Sequence, residues 1–196
     1  MGQESPPRGC AGASPHCYCD APMEILHVAE FESPFGTMRC ASTGKGLAYV
    51  QLPRASGRGF AGWRRRHAPD LGVEEAWKPN QAAIRQISDF LEGKRREFDL
   101  PLDLRATDFQ ARVYEALCEV PYGETRTYTE IARAISQPRA VRAVGTANGA
   151  NPLSLVIPCH RIVAAGGKLG GYAGGLPMKK KLLAMEHSSP LEGDLL

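Results

Sequence analysis

Residues 107–149 read TDFQARVYEALCEVPYGETRTYTEIARAISQPRAVRAVGTANG and carry the clearest fold signal in the chain. Thr107 followed by Gln110 fits a capping box, in which the two side chains satisfy free N–H groups at a helix start. Pro121-Tyr122-Gly123 marks the end of this helix. Between these signals, apolar residues recur at spacings of three and four, as on one helix face: Phe109, Val113, Leu117 and Val120.

A second capping box, Thr127 with Glu130, opens another helix with its own apolar face. A short break at residues 136–138 separates it from a third helix, predicted at about residues 139–148. Two short helices joined by a tight turn, with arginine and small polar residues on the second, are typical of a helix-turn-helix. Many helical hairpins share this pattern without binding DNA, so the pattern alone leaves both interpretations open.

The preceding part of the chain shows β periodicity. Residues 23–52 contain short apolar runs separated by turn sequences, which predicts a small meander. Residues 53–78 lack regularity and are expected to form a loop, whereas a helix is predicted at about residues 80–93. Residues 98–104 alternate between apolar and other side chains, as a half-buried strand does.

These patterns predict two domains. The first is a small α/β N-terminal domain, a sheet plus a helix, expected at residues 23–104. It is joined to a mainly α C-terminal domain with a helix-turn-helix, expected at residues 105–190. Residues 1–22 lack apolar periodicity and are expected to form a disordered tail, and residues 191–196 are expected to form a C-terminal tail.

The cysteines indicate a reducing compartment. The chain contains 6 cysteines and no apparent export signal, so free thiols are expected in the cytoplasm, or in the nucleus if the source is eukaryotic. The N-terminal tail holds four residues that could in principle bind zinc: Cys10, His16, Cys17 and Cys19. Their spacing is not one that zinc sites normally use, so no metal site is expected.

Composition places few limits on function. A net charge of +3 suits a nucleic-acid binder but also many other proteins. Three basic runs stand out, and each alone is more typical of a solvated surface: residues 64–66, 94–96 and 179–181. No apolar run approaches the ~20 residues that a membrane-spanning helix requires, so no membrane partner is expected.

Pro158-Cys159-His160 follows an apolar strand predicted at residues 153–157 and indicates nucleophilic chemistry. Free cysteine has a pKa of ~8.5 and is mostly protonated at neutral pH, so a nucleophilic cysteine needs a base or positive charge nearby. His160 is the candidate base. The competing interpretation is a buried structural cysteine beside a surface histidine.

Neighbouring residues on an extended strand point to opposite faces, so a bridging water or a bend after Pro158 would have to link Cys159 to His160. Glu186 is the candidate for a third group that orients the imidazole. It lies beside the apolar face of a helix predicted at residues 177–185, where a carboxylate is costly unless paired. The alternative for Glu186 is an exposed charge at a helix end.

The segment Ile157-Pro158-Cys159-His160-Arg161-Ile162-Val163 resembles the signature of the O6-alkylguanine-DNA alkyltransferases, also called methylated-DNA–protein-cysteine methyltransferases. The resemblance runs from about Phe98 to His187, and more loosely back to Met23. So many pieces in one order make a chance match very improbable. The further matching pieces are residues 122–125, Tyr128, and residues 131–132, 139–145, 151–152, 171–175 and 182–183.

The resemblance implies catalytic roles for four residues and a DNA-binding role for a fifth. Cys159 is the alkyl acceptor, and His160 with Glu186 activates it through a bound water. Tyr128 crowds the 3′ phosphate and then gives a proton to the guanine. Arg142 is a finger that enters the base stack and fills the gap left by the extruded nucleotide.

The resemblance also implies which residues face the DNA and the substrate. The helix that carries Arg142 lies in the minor groove, where its small residues allow close approach. Asn151 is a hinge that braces the helix-turn-helix against the active-site segment, and Tyr172 is a lid that packs on the flipped base. The other residues assigned to the DNA surface are Gly145, Thr146, Ala147 and Asn148, and those assigned to the pocket are Pro158 and Ala173.

The function implied by the resemblance is DNA repair by direct reversal. O6-alkylguanine, mainly O6-methylguanine, leaves the duplex, and its alkyl group passes irreversibly to Cys159, once per molecule. O4-alkylthymine is a second candidate substrate. The expected partner is double-stranded DNA containing the damaged base, with no cofactor, no metal and a monomeric protein. A regulatory role is not expected, because only residues 1–22 precede the first predicted strand.

Two other functions stay open. A non-catalytic binder of alkylated DNA could use the same scaffold to recruit other repair factors, although Cys159 argues against it. A cysteine hydrolase could use Cys159, His160 and Glu186, and it would turn over many times.

Overall fold

The computed structural model describes residues 24–53 and 59–188, without the side chain of Ser188. The expectations for the two tails, including a metal site at the tail cysteines, lie outside the described residues. Within the described ranges, no helix is long and apolar enough to cross a membrane.

The N-terminal half is built on a four-stranded sheet in the order β3-β2-β1-β4. The predicted meander is present, with β1 antiparallel to β2 and β2 antiparallel to β3. A turn at residues 33–36 joins β1 to β2, where the Ser33 hydroxyl donates to the carbonyl of Gly36 at 2.6 Å. The strands are β1 (Ile25–Phe31), β2 (Met38–Thr43), β3 (Gly46–Gln51) and β4 (Gly72–Glu75).

Two helices cover opposite faces of this sheet. Helix α1 (Gly59–His67) packs through Trp63 on one face, and α2 (Gln81–Leu91) packs through residues such as Ile87 on the other. The expectation of a loop over residues 53–78 is therefore wrong, because this range contains α1 and also β4, which pairs in parallel with β1. Helix α1 has one buried residue and four basic residues in its last turn, so it shows little apolar periodicity in the sequence.

Residues 98–104 do not form the predicted strand. They lie along the edge of the sheet, where the N–H of Leu47 donates to the carbonyl of Pro101 at 2.8 Å and that of Asp103 donates to Leu47 at 2.9 Å. Only an isolated bridge forms here, between Leu47 and Leu102. The alternation in the sequence reflects a half-buried segment without a continuous ladder.

The C-terminal half contains the predicted helices, and both capping boxes are formed. Helix α5 begins at Val141 rather than near Arg139, because a turn precedes it in which Ala140 N–H donates to Gln137. Two-residue strands β5 (Arg126–Thr127) and β6 (Ile162–Val163) pair in parallel. The helices are α3 (Asp108–Cys118), α4 (Tyr128–Ala134), α5 (Val141–Gly149) and α6 (Leu176–Ser188).

One apolar core runs through both halves. Its buried members include Cys40 and Phe90 from the first half and Val113 and Leu182 from the second. The edge of β3 makes a further link, since the N–H of Val50 donates to the carbonyl of Pro152 at 2.7 Å. The predicted fold class, an α/β half joined to a mainly α half, is confirmed. The division at residue 104 stays a prediction.

Gly46 makes the packing of residues 98–104 possible. Its φ is +143°, and a Cβ at this position would lie 2.2 Å from the carbonyl oxygen of Pro101. We expect Gly46→Ala to lower the free energy of unfolding by roughly 2–4 kcal/mol, through backbone strain and steric overlap. Urea denaturation measures this change.

The matched control is Gly44→Ala, since a Cβ there would meet nothing within 4 Å. We expect this control to stay within about 0.5 kcal/mol of the original chain. Equal stability of the two variants would contradict the steric account of Gly46.

Candidate active site

The chain turns sharply before Cys159. Residues 153–157 are not the predicted strand: Leu155 has a φ of +76°, and the N–H of Ile157 folds back to the carbonyl of Leu153 at 2.8 Å. Cys159 then begins a short 3-10 helix, Cys159–Arg161, preceded by the buried Pro158. The bend removes the difficulty that adjacent residues on a strand face opposite ways.

The Cys159 side chain opens on a cavity of about 400 Å³, although only 3% of the residue is exposed. The walls come from the start of α4, the inner side of α5, the turn before Cys159 and the segment before α6. This cavity is called the transfer pocket below. Its other lining residues are Tyr128, Gly145, Asn148, Gly149, Asn151, Ser154, Gly171, Tyr172 and Ala173.

Burial raises the pKa of the Cys159 thiol. Hydrogen bonding with Asn151 and Ser154, and the positive charge of Lys179, act in the opposite direction without reversing this shift. The sulfur is a protonated thiol that needs a base when it reacts.

A buried charge network lies beside the cysteine. His160 Nε2 is 2.7 Å from Glu186 Oε1, and both side chains are buried. Arg161 Nε donates to Glu186 Oε2 at 2.9 Å and its Nη1 donates to the carbonyl of Val120 at 2.8 Å. The backbone N–H of Gly123 donates to the same carboxylate at 3.0 Å.

These contacts fix the protonation states of the pair. Burial alone would raise the pKa of Glu186, but the hydrogen bonds from His160, Arg161 and Gly123 lower it to about 2. Burial lowers the pKa of His160. An ionised Glu186 can only accept, so a neutral His160 donates from Nε2 and keeps a lone pair on Nδ1. Among the described residues Nδ1 has no hydrogen-bond partner, so it can serve as a base.

Asn151 connects the helix-turn-helix to the turn that holds the cysteine. Its Nδ2 donates to the carbonyl of Ile157 at 2.8 Å, and its Oδ1 accepts from the N–H of Leu153 at 3.0 Å. Asn151 follows the end of α5 and lines the transfer pocket. A displacement of α5 would therefore be transmitted directly to the segment before Cys159.

The five predicted DNA-facing residues of α5 divide into two groups. Arg142 and Thr146 are exposed, and Gly145 is half-buried on the transfer pocket. Ala147 and Asn148 are buried, and the carbonyl of Ala147 accepts from the Tyr114 hydroxyl at 3.2 Å. Ala147 therefore faces the core instead of the outer surface, whereas Asn148 faces the transfer pocket.

Two tyrosines line the transfer pocket. Burial raises the pKa of Tyr128, and the nearby Cys159 adds to this effect, so its hydroxyl stays protonated at neutral pH. Burial also raises the pKa of Tyr172, whose hydroxyl has no hydrogen-bond partner in the described part of the chain. Gly170 leaves room for Tyr128, since a Cβ there would lie 3.1 Å from the Tyr128 hydroxyl.

Sequence reasoning missed the roles of Arg161 and Lys179. Lys179 is fully buried, and its Nζ donates to the carbonyls of Ile162 and Leu169, which closes the loop between β6 and α6. Its position in a run of three lysines suggested a solvated surface. A helical spacing of three and four through Leu182 and Glu186 was the signal for a buried position.

No group of three or more His, Cys, Asp or Glu residues in the described ranges could hold a metal ion.

Comparison with known proteins identifies the family of this chain. Residues 108–188 match the 6-O-methylguanine DNA methyltransferase, DNA binding domain. A methylated-DNA–protein-cysteine methyltransferase from Methanosarcina barkeri is 45% identical over 81% of this chain and 95% of its own length. The protein of the same name from Mycobacterium bovis is 42% identical, over 84% of this chain and 94% of its own length. This chain belongs to the methylated-DNA–protein-cysteine methyltransferase family.

Solved structures of methyltransferases also match. The crystal structure of Mycobacterium tuberculosis OGT in complex with DNA has a TM-score of 0.72 and 40% identity, covering 83% of this chain and 94% of that chain. The O6-methylguanine-DNA methyltransferase from Pyrococcus kodakaraensis has a TM-score of 0.56 and 26% identity, covering 83% and 99%. The family resemblance drawn from the sequence is confirmed.

The depressed pKa of Glu186 predicts how stability depends on pH. The ionised carboxylate stabilises the fold above its ordinary pKa of 4.5, and this contribution is lost as the pH falls toward about 2. Between pH 6 and pH 3 the original chain should lose about 2 kcal/mol more than Glu186→Gln does, at 1.36 kcal/mol per pH unit. Urea denaturation at both pH values measures this. Equal losses in the two proteins would contradict the assignment.

Proposed function

We propose that this chain repairs DNA by direct reversal of alkylation damage. It takes O6-alkylguanine, mainly O6-methylguanine, out of duplex DNA and transfers the alkyl group to Sγ of its own Cys159. O4-alkylthymine is the second candidate substrate. Each molecule acts once, as a monomer, without a cofactor.

The observation that carries this proposal is the position of Cys159. Its side chain lines the transfer pocket, whose walls include the predicted DNA-reading helix α5, and it precedes His160 of the buried His160–Glu186 pair. A structural cysteine would not need a pocket on the DNA-binding side or a polarised histidine beside it. The relatives named for methyl transfer to a protein cysteine support the same interpretation.

The depth of the pocket requires the base to leave the helix. O6 of guanine lies inside the duplex, and only 3% of Cys159 is exposed to solvent. The alkyl group on O6 therefore cannot reach the cysteine sulfur while the base is stacked. A cavity of about 400 Å³ lies within the usual range for small-molecule sites, roughly 300–1,000 Å³. Flipping costs a few kcal/mol, and less for a damaged pair.

The residues of the site can move every proton that the transfer step requires. His160 accepts the thiol proton of Cys159 through a bridging water. Glu186 then stabilises the imidazolium that forms. The thiolate attacks the alkyl carbon in line, so an S–C bond forms as the O6–C bond breaks. Guanine leaves with the electron pair and receives a proton from Tyr128, which His160 can later restore. The product thioether is stable in water, so the protein is consumed.

Arg142 is the proposed finger that fills the space left by the base. Its side chain is exposed on the first turn of α5, and Thr146, one turn further along, is also exposed. A long planar cation can stack between bases while staying close to phosphates. Recognition from the minor groove depends mainly on the shape and the backbone of the DNA. This suits a protein that must find damage in any sequence.

Transfer to Cys159 is tested by mass spectrometry after mixing with duplex DNA that contains O6-methylguanine. We expect one methyl group on the peptide containing Cys159, and no more than one transfer per molecule however long the incubation. Cys159→Ala should abolish transfer while DNA binding persists. Cys118→Ala, at an exposed cysteine outside the transfer pocket, is the matched control.

Other outcomes distinguish the alternatives. Tight binding to damaged DNA with unchanged protein mass would indicate a non-catalytic lesion binder, and repeated product release would indicate a hydrolase. Residual methylation of Cys159→Ala would mean that another cysteine, such as Cys118 or Cys40, is the acceptor.

The role of Arg142 is tested by comparing two substrates. We expect Arg142→Ala to slow transfer from duplex DNA by tenfold or more, which corresponds to about 1.4 kcal/mol. Its reaction with the free O6-alkylguanine base should change far less, because no base needs to leave a stack. Arg85→Ala, at an exposed position on α2, is the control. Equal losses on both substrates would remove the finger assignment.

A further inference from the structure

A second cleft lies on the far side of the wall that bounds the transfer pocket. Its volume is about 240 Å³, and it is bordered by β3, by α1 and by the end of α5. Gly149, Asn151 and Ser154 line both cavities. Helix α1, which the sequence did not reveal, thus lies beside the C-terminal end of the helix that reads DNA.

The cleft carries positive charge without a compensating acid. Arg66 and His67 line it, and none of its described lining residues is acidic. Arg65 and Arg66 are exposed and form no ion pair with a carboxylate of the described residues. Cations in the last turn of a helix are favoured by its dipole, but this effect does not require one of them to border a cleft.

A buried donor indicates the kind of occupant. Burial lowers the pKa of His67, and the positive charges of Arg66 and Arg105 lower it further, so at neutral pH Arg66 supplies the charge of the cleft. Trp63 is 7% exposed and lines the cleft, and its indole N–H has no acceptor among the described residues. A buried N–H donor without an acceptor is costly, and an anionic oxygen is a suitable partner.

We propose that this cleft binds a backbone phosphate of the DNA, with Arg66 as its principal cation, Arg65 beside it and Trp63 as a donor. The inference rests on the proposed function for the identity of the partner. Phosphate contacts fix the position of a protein on a duplex without reading its sequence. A contact at the end of α5 would hold the duplex while Arg142, at the other end, displaces a base.

The test measures the affinity for undamaged duplex DNA at several salt concentrations. Each phosphate contact contributes about 0.9 to the slope of log K against log salt. The double variant Arg65→Gln/Arg66→Gln should lower this slope by about 1 and weaken binding at low salt by roughly tenfold. The matched control Lys78→Gln/Arg85→Gln removes two exposed charges near and on α2 and should keep the original slope.

A conservative variant and a melting curve separate a charge effect from a folding defect. Arg66→Lys keeps the charge, so its slope should equal that of the original chain. The double variant should melt at the original temperature, because both side chains are exposed. An unchanged slope in the folded double variant, or an equal loss in the control, overturns the proposal.

Fluorescence distinguishes DNA phosphate from free phosphate. The chain contains 2 tryptophans, so Trp77→Phe leaves Trp63 as the only reporter. Undamaged duplex should change the Trp63 emission, whereas inorganic phosphate at matched ionic strength should not. The same change with inorganic phosphate alone would mean a free-anion site and would overturn the proposal. A chain that passes these tests yet transfers no methyl group to Cys159 would contradict the proposed function only.

Discussion

The active-site half of the fold depends on the hydrogen bonds that the carboxylate of Glu186 accepts. It lies on α6 and is held by His160 and Arg161 of the 3-10 helix and by the N–H of Gly123. A buried carboxylate is costly unless its partners are in place, so three distant pieces of chain must come together for any of them to be satisfied. Arg161 extends the network to the carbonyl of Val120, which ties the end of α3 to the same point. The contacts that position the residues next to Cys159 are therefore also contacts that stabilise this half of the fold.

This arrangement explains how the protein can carry a reactive cysteine safely. Burial keeps the Cys159 thiol protonated, and the same burial keeps His160 neutral and able to accept a proton. Neither group is charged at rest, so in the proposed reaction the thiolate forms only when His160 takes the thiol proton. The single transfer that we propose gains from this restraint, because an exposed thiolate would be open to oxidation and to other electrophiles.

The sequence predicted the elements whose signals are local. The capping boxes at Thr107 and Thr127 were predicted because each needs only four neighbouring residues, and both are present. Helix α1 was missed because it has a single buried residue, Trp63, and its packing depends on a distant sheet. The segment at residues 153–157 reads as a strand because it is apolar, yet its buried position comes from a bend at Leu155 with positive φ, which residue type does not disclose. The partners of Glu186 and the burial of Lys179 depend on tertiary contacts, which a linear pattern suggests only weakly.

The shared wall between the two cavities gives the N-terminal half a role in the site. Strand β3 is the edge of the sheet, and its Val50 N–H bonds to Pro152, directly before the turn that presents Cys159. The sheet thus supports the floor of the transfer pocket, and the same edge brings α1 close to the end of α5. Asn151 lies in this wall and is hydrogen-bonded on both sides of the turn. In the proposed function bound DNA contacts α5, and we expect a displacement of α5 to reach the segment that carries the sulfur, because Asn151 is hydrogen-bonded to both Leu153 and Ile157.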